Sequence, residues 1–373
     1  MTASASSRTA RLALVTALLV PGSGSPGPLP EGRGSAQAAN SAEPRASASG
    51  PALRWELVDA HTSASLRGLH RAGSSVWVSG SKGAILRSAD GGETWQSCTL
   101  PPGAAKLDFR AVWAWDPERA IVMSSGPGDQ SRLFRTTDGC RSWLPGLVNT
   151  DPAGFWDALV FSGDEGVILG DPVGGRFVIL RSRDSGLNWA PDQSPTLASL
   201  PAGEGAFAAS NSALFSLTAG ASRTLWFSTS GPGGPRIFRS HNGPDWLPVK
   251  VPLDGSTAAA GVFSLAFRDS QNGVAVGGNY EKPDQTSGTA ATTADGGRTW
   301  IPATRPPSGY RSAVDWDSRS KLWIAAGTNG ADVSSDDGKT WQRFDSGKWN
   351  ALSLPWAVGP QGRVARLICS ACR

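Results

Sequence analysis

The sequence predicts an all-β fold: a seven-bladed β-propeller of four-stranded antiparallel blades, its ring closed by pairing of the N- and C-terminal strands. Three observations predict it. The 373 residues include 46 Gly, 27 Pro and 16 Trp, with only 18% charged residues. That composition favours short strands and turns over long helices and excludes disorder for most of the length. A turn motif recurs six times at blade spacing, and each chain end carries part of one further blade. The charge also excludes functions. The net +4 is spread thinly, and no Lys/Arg block marks a nucleic-acid or membrane-surface binder. No apolar run approaches the roughly 18 residues of a membrane-spanning helix.

The chain opens with an export leader, expected to occupy residues 1–38. Arg8 and Arg11 precede the apolar stretch Leu12–Val20, then Pro21 and a Gly/Ser/Pro-rich segment. This is the basic, apolar, small-residue order of a secretory signal. Ala36-Gln37-Ala38 offers a cleavage site, and an earlier cut after Gly22 to Gly24 is the alternative. Residues 39–50 read as a flexible Ser/Ala linker. The propeller is expected over 51–368 and a short tail over 369–373. Export implies a periplasmic or extracellular location, or the thylakoid lumen in a photosynthetic host.

The repeat is Ser/Thr, any residue, Asp, any, Gly, any, Thr, Trp. It appears as Ser88-Ala-Asp90-Gly-Gly92-Glu-Thr94-Trp95, Thr136-Thr-Asp138-Gly-Cys140-Arg-Ser142-Trp143 and Ser182-Arg-Asp184-Ser-Gly186-Leu-Asn188-Trp189. A shortened copy, Ser240-His-Asn242-Gly-Pro-Asp-Trp246, is followed by Thr293-Ala-Asp295-Gly-Gly297-Arg-Thr299-Trp300 and Ser334-Ser-Asp336-Asp-Gly338-Lys-Thr340-Trp341. Successive tryptophans lie 48, 46, 57, 54 and 41 residues apart. The motif suits a hairpin turn between the two outer strands of a blade. The Asp accepts backbone N–H groups, the Gly takes a positive φ, and the Trp ring folds beneath the turn. Burying such a ring contributes at most about 4–6 kcal/mol. One carboxylate per turn cannot supply a calcium shell, so these residues are structural and no metal is expected.

The motif resembles the Asp-box (BNR) repeat of sialidase-like, sortilin-like and photosystem II assembly-factor-like propellers, over about residues 51–368. The last of these is the closer resemblance. Besides the boxes, it rests on Phe-Arg-Ala-Val at Phe109–Val112 and Val-Ala-Val-Gly-Gly at Val274–Gly278. It implies an exported, non-catalytic scaffold that holds a partner protein, with an arginine-lined patch on one face.

Seven blades follow from the ends. The segment around Trp55 looks like an outer strand without a box, 40 residues before Trp95. The C-terminal stretches from Trp349, Trp356 and Arg363 supply three strands that lack an outer fourth. Trp55 supplies it, which protects the sheet edges. Six or eight blades are the alternatives.

Each innermost strand opens with an aromatic or Leu, a variable residue, then small and apolar ones. The pairs are Leu66-Arg67, Phe109-Arg110, Trp156-Asp157, Phe207-Ala208, Phe263-Ser264, Tyr310-Arg311 and Trp349-Asn350. Alternation places the second residue opposite its neighbour, on a ring around the mouth of the channel. Arg67, Arg110 and Arg311 would converge there, with Asp157 neutralising one. Guanidinium groups suit carboxylate or sulfate. The expected partner is therefore a protein or an anionic ligand; the alternative is that these arginines are struts paired to carboxylates. Long Gly-rich loops bring Asp171, Arg176, Glu204, Tyr280 and Glu281 within reach of the same mouth.

The second functional reading is a sialidase-like glycoside hydrolase, an exo-glycosidase with a tyrosine nucleophile and an arginine triad. The three ring arginines, Tyr280, Tyr310 and the acids Glu204, Glu281 and Asp171 supply its ingredients by type, but the Phe/Tyr-Arg-Ile-Pro opening of typical sialidases is missing before the first box. No zinc motif, nucleophile elbow or dinucleotide fingerprint is present, so no cofactor is expected. The chain is expected to be monomeric. The even count of four cysteines suggests disulfides in an oxidising compartment. Cys98 and Cys140 lie on the rims of adjacent blades, and Cys369 and Cys372 close the chain as Cys-Ser-Ala-Cys.

Overall fold

The structure is a computed structural model that describes residues 53–201 and 203–370. The expected leader and linker lie outside the described residues, as does Cys372. Strand β1 (Leu53–Val58) belongs to the last blade. Blade 1 is β2–β5 (Leu66–Ala72, Ser75–Gly80, Ile85–Ser88, Gln96–Ser97), and blade 2 is β6–β9 (Phe109–Ala114, Ala120–Ser124, Arg132–Thr136, Leu144–Val148). Blade 3 is β10–β13 (Trp156–Ser162, Glu165–Val173, Arg176–Ser182, Ala190–Pro191), and blade 4 is β14–β17 (Leu214–Ala219, Ser222–Ser228, Arg236–His241, Leu247–Lys250). Blade 5 is β18–β21 (Ala260–Phe267, Gly273–Asn279, Ala290–Thr293, Ile301–Pro302), and blade 6 is β22–β25 (Ala313–Asp317, Leu322–Gly327, Gly330–Ser334, Gln342–Asp345). Blade 7 is β26–β28 (Ala351–Ser353, Trp356–Val358, Val364–Cys369) completed by β1, which pairs antiparallel with β28 from Leu53↔Cys369 to Val58↔Val364. The fold is the seven-bladed propeller expected, closed by its two ends.

Each inner strand packs on the next, from β2 through β6, β10, β14, β18, β22 and β26 and back to β2. The apolar core is correspondingly divided. Among the described residues it forms seven clusters, each drawn from two neighbouring blades. The cluster closing the ring joins Leu66, Val76 and Val78 of blade 1 to Trp356, Val358 and Val364 of blade 7. Apolar area between blades therefore holds the ring together, while backbone pairing holds each blade.

The repeated turns show why their residues recur. Ser88 Oγ donates to Asp90 Oδ1 (2.7 Å) and accepts the Gly92 N–H (2.7 Å), while Asp90 accepts the Thr94 N–H (2.9 Å). The same bonds link Thr136, Asp138 and Ser142, and again Ser182, Asp184 and Asn188. At Gly92 (φ 90) an added Cβ would fall 2.1 Å from the Trp356 ring. Cys140 takes the equivalent place in blade 2 at φ 62 and spends its side chain on a disulfide to Cys98 (Cα–Cα 5.2 Å), stapling blades 1 and 2. Cys369 is also disulfide-bonded. Asn242 in blade 4 departs from the pattern: its Oδ1 accepts the Arg223 N–H (2.7 Å) from the neighbouring hairpin.

Two predictions follow from these turns. Cys98 and Cys140 close a loop of 42 residues, so Cys98→Ser/Cys140→Ser should lose up to about 4 kcal/mol in denaturant unfolding; an unchanged midpoint contradicts this. Hydrogen bonds from Thr94 hold the Asp90 carboxyl at about 2, those from Ser142 do the same for Asp138, and those from Asn188 for Asp184. A carboxyl depressed below its ordinary 3.8 stabilises the fold above that pH, and the contribution is lost as pH falls towards 2. Acid titration followed by circular dichroism should show this limb, flattened in Asp90→Asn/Asp138→Asn/Asp184→Asn. Identical acid limbs would contradict it.

Candidate functional site

The inner strands run in the same sense around the ring, so their first residues lie at one end. In blades 1, 2 and 3 the register of the first hairpin slips by one residue, at Arg67, Arg110 and Asp157. A bulge of this kind re-aims the extra side chain. In blade 5 the slip falls at Phe263. The expectation that Ser264 takes the ring position is therefore off by one residue; its hydroxyl instead accepts the Val314 N–H (2.9 Å).

Arg67 and Arg110 converge. Arg110 Nε donates to Asp108 Oδ2 at 2.8 Å, and Arg67 Nε lies 3.9 Å from the same oxygen. Two guanidinium groups thus share one carboxylate. Burial, then the neighbouring Arg110, lowers the Arg67 pKa from its ordinary value, against the opposing pull of Asp108 and Tyr310. Tyr310 is buried beside Arg67, and burial pushes its phenol well up. An aromatic group adjoins the arginines. Phe207 stacks on Phe263 (3.6 Å), Tyr310 meets Phe263 edge-on (4.7 Å), and Tyr280 meets both phenylalanines edge-on.

Arg311 is not part of this cluster. Its backbone N–H bonds to Gly277 O, as Leu66 bonds to Gly359, Val262 to Thr229 and Trp349 to Gly327. It therefore occupies the position before the bulge, and its side chain enters the protein interior. There it is 0% exposed, ion-paired with Asp332 and bonded to Ser308, Asn329 and the Tyr310 carbonyl. Burial lowers its pKa, and Asp332 counters that. For this arginine the strut alternative describes the geometry.

Blade 4 also departs from expectation. Its inner strand starts at Leu214, not at Phe207. After a bridge between Gly205 and Ser230, residues 206–213 leave the sheet. Ala208 O accepts a bond from Arg110 Nη1 (3.2 Å) of blade 2, and the Asn211 amide bonds both backbone groups of Leu159 in blade 3. Ser212 O accepts the Leu265 N–H of blade 5, and Ser210 Oγ donates to Ser312 O just before blade 6. A segment that reaches blades 2, 3, 5 and 6 extends into the centre of the ring behind the mouth.

The other expected residues are placed as follows. Asp157 is buried. Asp171 Oδ1 accepts the Ala206 N–H (2.8 Å), anchoring the crossing segment. Glu204 is buried, ion-paired with Arg236 and bonded by Thr229 Oγ1 (2.6 Å) and the Leu200 N–H (2.9 Å). Arg176 donates to the Ser194 carbonyl. Tyr280 is half-buried and Glu281 exposed. Of the residues weighed for glycoside hydrolysis, Arg67, Arg110 and Tyr310 lie together, whereas Arg311 is committed to Asp332 and Glu204 to Arg236. Sequence reasoning missed Asp108, although a carboxylate two residues before Arg110 was visible. It also missed the crossing segment, whose signal is the longest interval between the tryptophans of the repeated turn, 57 residues from Trp189 to Trp246.

The two kinds of arginine predict different losses. Arg311→Ala leaves Asp332 buried without its cation and should cost about 3–5 kcal/mol, whereas Arg67→Ala at the half-open mouth should cost far less. Equal losses in urea unfolding would contradict the assignment.

No protein-family model matches the chain, and no curated protein sequence matches it. Among solved structures, YCF48 from Cyanidioschyzon merolae superposes with a TM-score of 0.55 at 17% identity, covering 84% of this chain and 98% of that one. YCF48 bound to D1 peptide gives a TM-score of 0.52 at 18% identity, covering 84% and 96%. Both are likenesses of fold.

Proposed function

We propose that this protein is an exported, non-catalytic scaffold that binds a partner polypeptide at the mouth bearing Arg67 and Arg110. The observation that carries the reading is the pair of guanidinium groups on the single Asp108 carboxylate. A partner carboxylate suits these guanidinium groups through paired hydrogen bonds, and the Phe207, Phe263 and Tyr280 rings give its chain an apolar surface. The segment 206–213 behind the mouth favours a ligand that lies over it. The similar fold of YCF48, one structure of which holds a D1 peptide, supports a polypeptide as the ligand. The Cys98–Cys140 disulfide suits the oxidising compartment that the leader implies.

A fluorescein-labelled peptide containing Asp, Glu and a free C-terminal carboxylate tests this in anisotropy titrations. Wild-type protein should bind it with an affinity that falls as salt rises. Arg67→Ala/Arg110→Ala should bind at least tenfold more weakly while melting at nearly the same temperature. Equal affinity in the folded variant would overturn the proposal.

A further inference from the structure

Towards the end of the ring opposite the mouth, the inner strands bring a second set of side chains to the axis. Asp315 Oδ2 accepts the Leu354 N–H (2.9 Å), Ser353 Oγ the Arg71 N–H (3.1 Å) and His70 Nδ1 the Ala114 N–H (3.2 Å). Each bond runs from one inner strand to the residue one step further along the next. Asp315, Ser353, His70 and Trp113 therefore hold equivalent positions on blades 6, 7, 1 and 2. The His70 and Trp113 rings lie together, with centroids 4.0 Å apart. Phe215 is the blade 4 counterpart, pairing with Trp226 as His70 pairs with Trp77.

All five side chains are half-buried. The sheet covers one side of an inner strand and the adjoining blades cover both faces, so these residues meet water at the axial opening. Burial raises the Asp315 carboxyl above its ordinary value and pulls His70 down to about 4, which sets both inside that opening and not on its rim. Half-buried Ser212 bonds Ser264 Oγ (2.7 Å), which accepts the Val314 N–H one residue before Asp315. Segment 206–213 thus forms part of the floor.

The polar atoms left over decide what fits. His70 Nδ1 is an acceptor, so in the neutral ring Nε2 carries the proton. That N–H has no acceptor among the described residues and is open to solvent. The Ser353 hydroxyl accepts from Arg71 and keeps its own proton to donate. Asp315 Oδ1 accepts the Trp316 N–H (2.8 Å) and Oδ2 that of Leu354, so each oxygen retains a second lone pair. Trp113 and Phe215 supply an apolar wall. An anion here meets the Asp315 carboxylate, and a cation meets the His70 and Ser353 donors. A neutral ring bearing several hydroxyls satisfies donors and acceptors together, and lays its C–H groups on the aromatic wall.

We propose that this opening binds a neutral pyranose sugar. Asp315 accepts from its hydroxyls, His70 Nε2 and Ser353 donate to them, and Trp113 and Phe215 cover its apolar face. The site is separate from the arginine mouth and stands whether or not the mouth binds a polypeptide.

The probes are the methyl glycosides of glucose, galactose, mannose and N-acetylglucosamine, titrated into the full chain with isotope-labelled histidine. The chain has three histidines, so magnetic resonance of the imidazoles reports each one. At least one glycoside should shift the His70 signals saturably at millimolar concentration and leave those of His61 and His241 in place. The uronic acid of the same sugar should bind at least tenfold more weakly. Asp315→Asn should weaken binding about tenfold and Ser353→Ala several-fold, while Arg67→Ala/Arg110→Ala should leave it unchanged. Ser353→Ala, at the end of its strand, replaces Asp315→Asn if that variant does not fold. The proposal is overturned if no glycoside moves His70 at tens of millimolar, if the uronic acid binds equally, or if the folded site variants bind as wild type does. Loss of binding in the mouth variant overturns it too. Binding of amino sugars alone would make this a cation site, and a His70 shift produced only by the acidic peptide would make it a polypeptide site; either result overturns it.

Discussion

The structure depends on the antiparallel pairing of β1 with β28. Neither chain end has a complete blade, and without that ladder β28 would present an open edge and the core between blades 7 and 1 would face water. The mouth inherits its geometry from the same closure. Leu66, next to Arg67, donates its N–H to Gly359 and receives the Asn350 amide on its carbonyl, both across the closing seam. Arg67 is thus positioned by contacts nearly three hundred residues away in sequence, and its meeting with Arg110 on Asp108 follows from a ring that has closed.

Much of the architecture was legible because the turns carry chemistry that a strand interior does not. A Ser/Thr, an Asp and a Trp at fixed offsets mark five outer hairpins, a shortened copy marks a sixth, and their spacing counts the blades. The register of the inner strands was less legible. One residue of slip reverses which side chain faces the axis, and the slips at Arg67, Arg110, Asp157 and Phe263 do not announce themselves in a pattern of period two. The alignment therefore placed Arg110 rightly and carried Arg311 along with it, although the backbone bond to Gly277 sets Arg311 one position earlier. The crossing segment was illegible for a different reason: Ser210, Asn211 and Ser212 read as an ordinary turn, and only tertiary hydrogen bonds define the path.

Single positions show how a repeat fold acquires individuality. Blades share their boxes and their apolar seams, so distinction arises where a position departs from the repeat. Asp108 before β6 gathers two arginines. At the end of β9, Asn149 and Asp151 give the seam between blades 2 and 3 a polar, acid-bearing end.

Residues 206–213 make the molecule a wheel with a solid hub. Because that hub is tied to four of the seven spokes, no one of those spokes can swing outward without tearing polar links at the centre. Breathing motions that would peel those sheets away singly are coupled through the same polar links.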